Sequence, residues 1–260
     1  MTVNPMGGRL AAFARPLVTL AGLLAAWWIL AKVSHVPSYL LPDPLSVAVA
    51  LWQQRDLLIS STVTTLTETV LGLVLGTVLG SLCALGMVFS PLMQRWLMPL
   101  LLVSQAIPIF ALAPLLVLWF GFGMASKVVM AMLVIFFPVT ASFSDGLRRT
   151  EIGWLDLART MNASPASILR HVRLPAALPA FGSGLRVATA IAPIGAVVGE
   201  WVGASAGLGY VMLNANARIE TDVMFAALFV LAAMAILLWV LVDRALKIIL
   251  YWAPDTSAIR

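Results

Sequence analysis

LTETVLGLVLGTVLGSLCALGMVF, residues 66–89, holds one charged side chain, Glu68, in 24 positions. A helix of roughly 20 mostly apolar residues crosses a hydrocarbon core of about 30 Å, so this stretch predicts a membrane span. Gly72, Gly76 and Gly80, continued by Ala84, recur every four residues and share one helical face. Small residues at that spacing let two backbones approach closely. They predict a tight seam, within the protomer or between protomers.

The rest of the 260-residue chain has the same texture, 62% apolar and 10% charged with a mean hydropathy of +1.01. Soluble domains carry about a quarter charged residues, so a cytosolic enzyme, a secreted scaffold and a disordered chain are excluded. No Gly-X-Y period or charged heptad marks collagen or a coiled coil. The single cysteine, Cys83, rules out a disulfide framework and a thiolate metal cluster. Further spans are predicted at residues 17–33, 96–118, 126–143, 183–202 and 224–242, giving an all-α, six-span membrane protein. Residues 1–260 are expected to form one transmembrane domain. The first span follows Arg9 and Arg15, yet Ala31-Lys32-Val33-Ser34-His35 is a poor small-residue cleavage site, so it is expected to be retained.

The basic residues set the topology. With both termini cytoplasmic, twelve of the 16 Lys and Arg fall inside: Arg9, Arg15, Arg95, Arg148, Arg149, Arg159, Arg170, Arg173, Arg186, Arg244, Lys247 and Arg260. Lys32, Arg55, Lys127 and Arg218 fall outside. That is a strong positive-inside bias, and adding or losing one span would spoil it. The same placement explains the net charge of +5 without a nucleic-acid partner.

Pro99, Pro108 and Pro114 interrupt the third span, Pro138 the fourth and Pro193 the fifth. Each removes an intrahelical hydrogen bond, and broken helices at membrane depth line a path or change shape. The first and sixth spans lack internal prolines and read as outer scaffold. Gln105, Glu68 and Glu200 lie in or near the spans, where an ionised carboxylate facing lipid costs several kcal/mol. Glu68 is expected near the outer end of its helix, within reach of interfacial water. Gln105 and Glu200 are candidates to line a pathway. Between the first two spans, Asp43-Pro44 starts a short helix with Leu45, Ala48, Val49 and Trp52 on one face. An amphipathic helix of this kind lies in the outer interface, against membrane lipid.

The loop at 145–182 differs from every other. It carries five arginines, Arg148, Arg149, Arg159, Arg170 and Arg173. Residues 151–161 predict a short helix, ended by Asn162 in the left-handed conformation. Ser164-Pro165 caps a second short helix over 166–172, which Pro175 and Pro179 are expected to terminate. Two short helices across a tight turn make a rigid knob that a soluble partner can grip.

The spacing in this loop resembles the EAA loop of permease subunits in bacterial ABC importers: Glu-Ala-Ala, three residues, Gly, nine residues, Ile-x-Leu-Pro. Here Asp156 stands for the Glu, Leu157 departs from Ala, and Ala158 matches. Asn162 replaces the Gly and Val172 the Ile, while Leu174 and Pro175 match. Asn and Gly both tolerate positive φ, so the turn is preserved. Gln105-Ala106-Ile107-Pro108, Ala113-Pro114-Leu115-Leu116-Val117-Leu118-Trp119-Phe120-Gly121, Gly199-Glu200 and Gly207-Leu208-Gly209 are similar to signatures of the nitrate, sulfonate, taurine and pyrimidine-precursor permeases.

The resemblance implies a type I importer permease in the bacterial inner membrane. Two permease copies form the pathway, and two ABC ATPase subunits each grip one loop. A periplasmic or lipid-anchored binding protein delivers solute. ATP and Mg would be bound by the partner ATPase, since this chain has no Gly-x₄-Gly-Lys-Ser/Thr loop. It also shows no metal ligand cluster and no catalytic set; His35 and His171 are far apart. An ion-coupled secondary transporter would need an internal repeat and an acid relay, and a scaffold leaves the broken helices unexplained. Spans almost free of basic residues favour an aminopyrimidine over a sulfonate, taurine or nitrate.

Overall fold

The structure is a computed structural model that describes residues 5–33 and 36–253, with side chains from residue 18 onward except Leu20. His35 and Arg260 lie outside the described residues, as do the side chains of Arg9 and Arg15. Helices follow one another as α1 (Pro5–Val33), α2 (Pro44–Gln53), α3 (Arg55–Phe89), α4 (Pro91–Ala106), α5 (Ile109–Phe120), α6 (Met124–Arg148), α7 (Ile152–Thr160) and α8 (Pro165–Ile168). A π turn (Leu169–Arg173) then leads into α9 (Leu174–Gly203), α10 (Leu208–Ala217) and α11 (Thr221–Ile249). Among the described residues there is no strand. Among the described residues four helical stretches are long and apolar enough to cross a membrane: α3, α6, the continuous Pro165–Gly203 and α11.

The third predicted span differs. Residues 96–118 do not form one rod, because α4 and α5 meet at 103°. Pro108 has no N–H and disfavours helix in the residue before it, and Ile107 accordingly sits extended at φ −80°, ψ 120°. Pro99 and Pro114, by contrast, lie inside continuous helix. At 1.5 Å per residue α4 is about 24 Å long and α5 about 18 Å, so neither covers the hydrocarbon core alone. Gly121, at φ 79°, ends α5 where an L side chain would be strained.

The chain divides into two compact units. The first comprises Met1–Ile59 with Val211–Phe229. There Trp27 of α1 packs on Phe225 and Phe229 of α11, with ring centroids 5.9 and 5.6 Å away. Lys32 reaches Asp43 at 3.2 Å and ties the end of α1 to the start of α2. In α2, Val47 and Ala50 are buried while the predicted stripe Leu45, Ala48, Val49 and Trp52 is exposed. The guanidinium of Arg55 lies 4.8 Å from the Trp52 ring centre. Ile219, a β-branched residue at φ 60°, closes α10, with its N–H and that of Glu220 donating to the Asn216 and Ala215 carbonyls.

The second unit comprises Ser60–Tyr210 and Val230–Arg260, and α6 and α9 run through its core. Ala131, Ile135 and Val139 of α6 meet Ala188 and Ala192 of α9, all fully buried, with Leu73 of α3 on the other side. The glycine face of α3 lies on α6: Gly76 faces Ile135, and Gly80 faces the Phe136 carbonyl and Thr140. The predicted seam is therefore within the protomer. Ala84 continues it against Phe143 and Leu147. At the far side of α9, Arg186 donates to Asp243 at 2.7 Å and Lys247 completes the cluster at 2.8 Å, joining α9 to α11.

Between apolar helices in lipid, association comes from close packing rather than from escape from water. A Cβ at Gly195 would sit 2.7 Å from the Ala131 Cα, where backbone cannot yield, whereas one at Gly22 would meet nothing within 4 Å. Gly195→Ala should therefore lower the thermal midpoint of the detergent-solubilised protein, at a cost of roughly 1–3 kcal/mol. Gly22→Ala should leave the midpoint unchanged or raise it, and equal behaviour of the two variants would refute the α6–α9 packing.

Candidate functional site

The loop between α6 and α9 is built by its caps. Asn162 stands at φ 60°, its N–H donates to the Arg159 carbonyl, and the Ala163 N–H donates to Ala158 at 3.0 Å. That paired closure ends α7 as a Schellman turn. Two residues on, Ser164 accepts from the Ser167 N–H at 3.2 Å and Pro165 occupies the first turn of α8.

The second short helix does not stop where expected. Pro175 lies in the first turn of α9 and Pro179 inside it, and the helix runs on unbroken to Gly203. The π turn at Leu169–Arg173 explains the continuity. The Leu174 N–H donates to the Leu169 carbonyl, one residue further back than in an α-helix. The wider turn accommodates a proline that cannot donate. The knob is thus rigidly continuous with α9.

Leu157, Ala158, Val172 and Pro175 line one groove of about 1040 Å³, together with Trp154 and Trp252. Leu174 instead turns inward to the cluster of Ala84, Phe143, Leu147 and Ala177. Asp156 is exposed and pairs with Arg159 at 3.0 Å, and Asn162 is exposed at the turn. Ile152, Trp154, Leu157 and Met161 all present large apolar surfaces, while Leu155 faces inward. An exposed nine-residue helix with three large apolar side chains outward, and a fourth, Met161, at its C-cap, is a docking surface in chemical character.

At the opposite end of α9 lies a second cluster, which the charge pattern did not reveal. Glu200 is fully buried. Its Oε1 accepts from the Thr65 hydroxyl at 2.6 Å, and its Oε2 accepts from the Gly209 N–H at 2.5 Å. Thr65 Oγ1 in turn accepts from the Leu208 N–H at 2.8 Å. A carboxylate at the first turn of α10 matches the positive end of that helix. Gly207, at φ 111°, and Gly209 leave room for the carboxylate where a Cβ would stand. Lys127 caps the other helix end: its Nζ donates to the carbonyls of Gly123 at 2.9 Å and Gly203 at 2.7 Å, and to Phe122. One turn between α9 and α10 is therefore held by a cation on one side and a carboxylate on the other.

Two expectations are corrected here. Glu68 does not reach interfacial water; it is 3% exposed and lies against Glu200. Lys127 is no loop charge; it is 2% exposed and committed to backbone carbonyls. Glu200 faces protein on every side, and Gln105 is exposed next to the α4–α5 bend. The structure does not bring these two together in one cavity. The missed signal was Lys127 four residues after Gly123, in the first turn of a helix whose N-terminal carbonyls it can reach.

Several membrane-length apolar helices, a bent proline-interrupted pair and a rigid loop between α6 and α9 define a polytopic helical membrane protein. The chain is a member of the binding-protein-dependent transport system inner membrane component family, whose model matches residues 76–250. A Haemophilus influenzae protein named "Probable ABC transporter permease protein" is 53% identical over 88% of this chain and 94% of its own. The formylaminopyrimidine transport permease protein ThiX of Halalkalibacterium halodurans is 37% identical over 88% of this chain and 92% of its own. Among solved structures, the inward-facing MetNI methionine ABC transporter aligns with a TM-score of 0.65 at 22% identity, over 75% of this chain and 97% of that one. The chain is thus the permease subunit of an ABC importer and a multi-pass membrane protein.

Breaking a buried ionic arrangement by removing one partner costs about 3–5 kcal/mol. Glu200→Ala, which leaves the Gly209 N–H without its acceptor and the Thr65 hydroxyl with the Ser61 carbonyl alone, should sharply reduce folded yield and thermal midpoint. The exposed control Glu220→Ala should not. Wild-type stability of Glu200→Ala would show that the clamp carries no weight.

Proposed function

We propose that this chain forms, with a second copy of itself, the solute pathway of an importer working by alternating access. On this reading the chain has six spans, with α1 and the bent α4–α5 pair counted as one each, and both termini and the α7 knob are cytoplasmic. Asp156, Leu157, Ala158, Asn162, Val172, Leu174 and Pro175 form the coupling element, which an ATPase subunit holding ATP and Mg grips. A binding protein supplies solute from outside. The observation that carries this reading is the continuity of the knob with α9 through the π turn. A push on α7 passes across the Asn162 turn into the Pro165–Gly203 helix and along it to the turn that Lys127 and Glu200 clamp.

The solute is an aminopyrimidine of the thiamine-precursor type. Similarity to ThiX over most of both chains supports this, and so does the scarcity of basic residues in the spans. Sulfonate, taurine or nitrate is the second reading, and membership of the permease family weighs against an ion-coupled carrier.

Asp156→Arg combined with Ala158→Trp should leave the permease in the membrane at normal level and abolish co-purification of the ATPase. Retained co-purification would remove the coupling assignment. The complete importer in proteoliposomes should take up a tritiated aminopyrimidine in an ATP-dependent way, and uptake of taurine in its place would overturn the solute reading.

A further inference from the structure

We propose that Phe110 and Trp201, beside the opened backbone at the α4–α5 bend, form a contact patch for a planar, uncharged heteroaromatic solute at the end of the pathway remote from the knob. The patch rests on the solute reading above and deepens it.

The two rings lie together with centroids 6.4 Å apart and planes at 29°, and yet 55% of Phe110 and 41% of Trp201 remain exposed. They belong to different helices, α5 and α9, whose packing below them is fixed by Ala113, Leu116, Met130 and Val198. Trp201 is 27 residues beyond Leu174 along α9, about 40 Å from the knob at helical rise. An exposed aromatic pair on a rigid base offers a flat face for stacking.

Lipid does not suit this location. At the bend Pro108 removes the N–H that would have served the Ser104 carbonyl, and Ile107 has left the helix. Gln105 is exposed in the same short segment. Non-helical backbone with freed carbonyls is tolerated at membrane depth only against protein or a watered cavity. A solute with hydrogen-bonding ring edges and amino groups can use such carbonyls as acceptors.

Charge decides the solute class. Lys127 is the sole Lys or Arg in residues 96–147, and none occurs in residues 187–203. Its ammonium is buried and spent on the carbonyls of Phe122, Gly123 and Gly203. Glu200 is equally committed to Thr65 and Gly209. An anionic sulfonate would find no counter-ion here, whereas a neutral ring finds an aromatic face and, at the bend, the Ser104 carbonyl that Pro108 cannot serve.

The test uses the complete importer, permease with its ATPase and binding protein, and a tritiated hydroxymethyl-aminopyrimidine as probe. Stacking on an aromatic side chain changes binding by about tenfold or more. Phe110→Leu and Trp201→Leu should each cut ATP-dependent uptake by that order at probe concentrations well below saturation, with permease level and ATPase co-purification held. Trp201→Phe, which keeps an aromatic face, should restore most of the loss. Wild-type uptake by the leucine variants overturns the patch, and so does a Trp201→Phe loss as deep as that of Trp201→Leu. Phe110→p-benzoylphenylalanine, irradiated during turnover, should transfer tritium to the permease. Cross-links to lipid or to the second permease copy alone would overturn the patch as well. Wild-type protein that imports taurine and not the pyrimidine fails the solute reading itself, an outcome visible before any variant is made.

Discussion

The close approach of α6 and α9 is the constraint on which the rest of this structure depends. Their backbones come so near that a Cβ on Gly195 would meet the Ala131 Cα at 2.7 Å, and one on Gly184 would meet the Pro138 carbonyl at 2.8 Å. Lipid-exposed apolar helices gain little by merely touching, so stability in this setting is a matter of van der Waals fit between small residues. Once α6 and α9 are locked, α3 follows, because its glycine face also fits against α6, where Ala131 meets both Gly72 of α3 and Gly195 of α9. The loop between α6 and α9 then has both ends anchored to one rigid pair. That is why its short α7 can serve as a handle rather than a flexible tether.

The clamp at the other end of α9 follows from the same economy. Helix ends at membrane depth carry unpaired N–H and C=O groups that water cannot serve. Here the α9 carbonyl end receives the Lys127 ammonium and the α10 amide end receives the Glu200 carboxylate. Buried charges of opposite sign each neutralise a helix end, and the two lie close enough to compensate one another. Isolated, either would be costly; together they fix the direction in which the chain leaves α9. The half-buried Arg186–Asp243–Lys247 cluster ties α9 to α11 by a more solvated version of the same device.

Much of this was legible in the sequence, for identifiable reasons. Glycines at four-residue intervals announce a seam because helical periodicity is fixed, and Asn162 announces a turn because few residues adopt positive φ cheaply. The two short helices and the turn between them were legible because their caps are local. What stayed hidden was non-local. Nothing in the neighbourhood of Lys127 shows that Gly203, 76 residues later, will present it a carbonyl. Pro175 reads as a helix stop, and only the π turn before it shows how the helix continues. Pro108 reads as a kink, while a bend of 103° needs the extended Ile107 as well. Ile219 at positive φ carries no sequence signal, since glycine or asparagine would be expected there.

Charge placement links these observations to transport. The long Pro165–Gly203 helix is about 58 Å at helical rise, longer than the hydrocarbon core, and so extends from the knob well into the membrane. Its knob end is rich in arginine; at its other end Lys127 and Glu200 are folded inward and hydrogen-bonded to helix ends. A pathway wall with no free charge neither attracts nor traps ions, so selection there rests on shape, stacking and backbone acceptors. The bend between α4 and α5 supplies the acceptors, and Phe110 with Trp201 supplies the flat face. Burying Lys127 therefore does two things at once. It caps a helix, and on the proposed pathway it withholds the sole cation of residues 96–147 from an anionic solute.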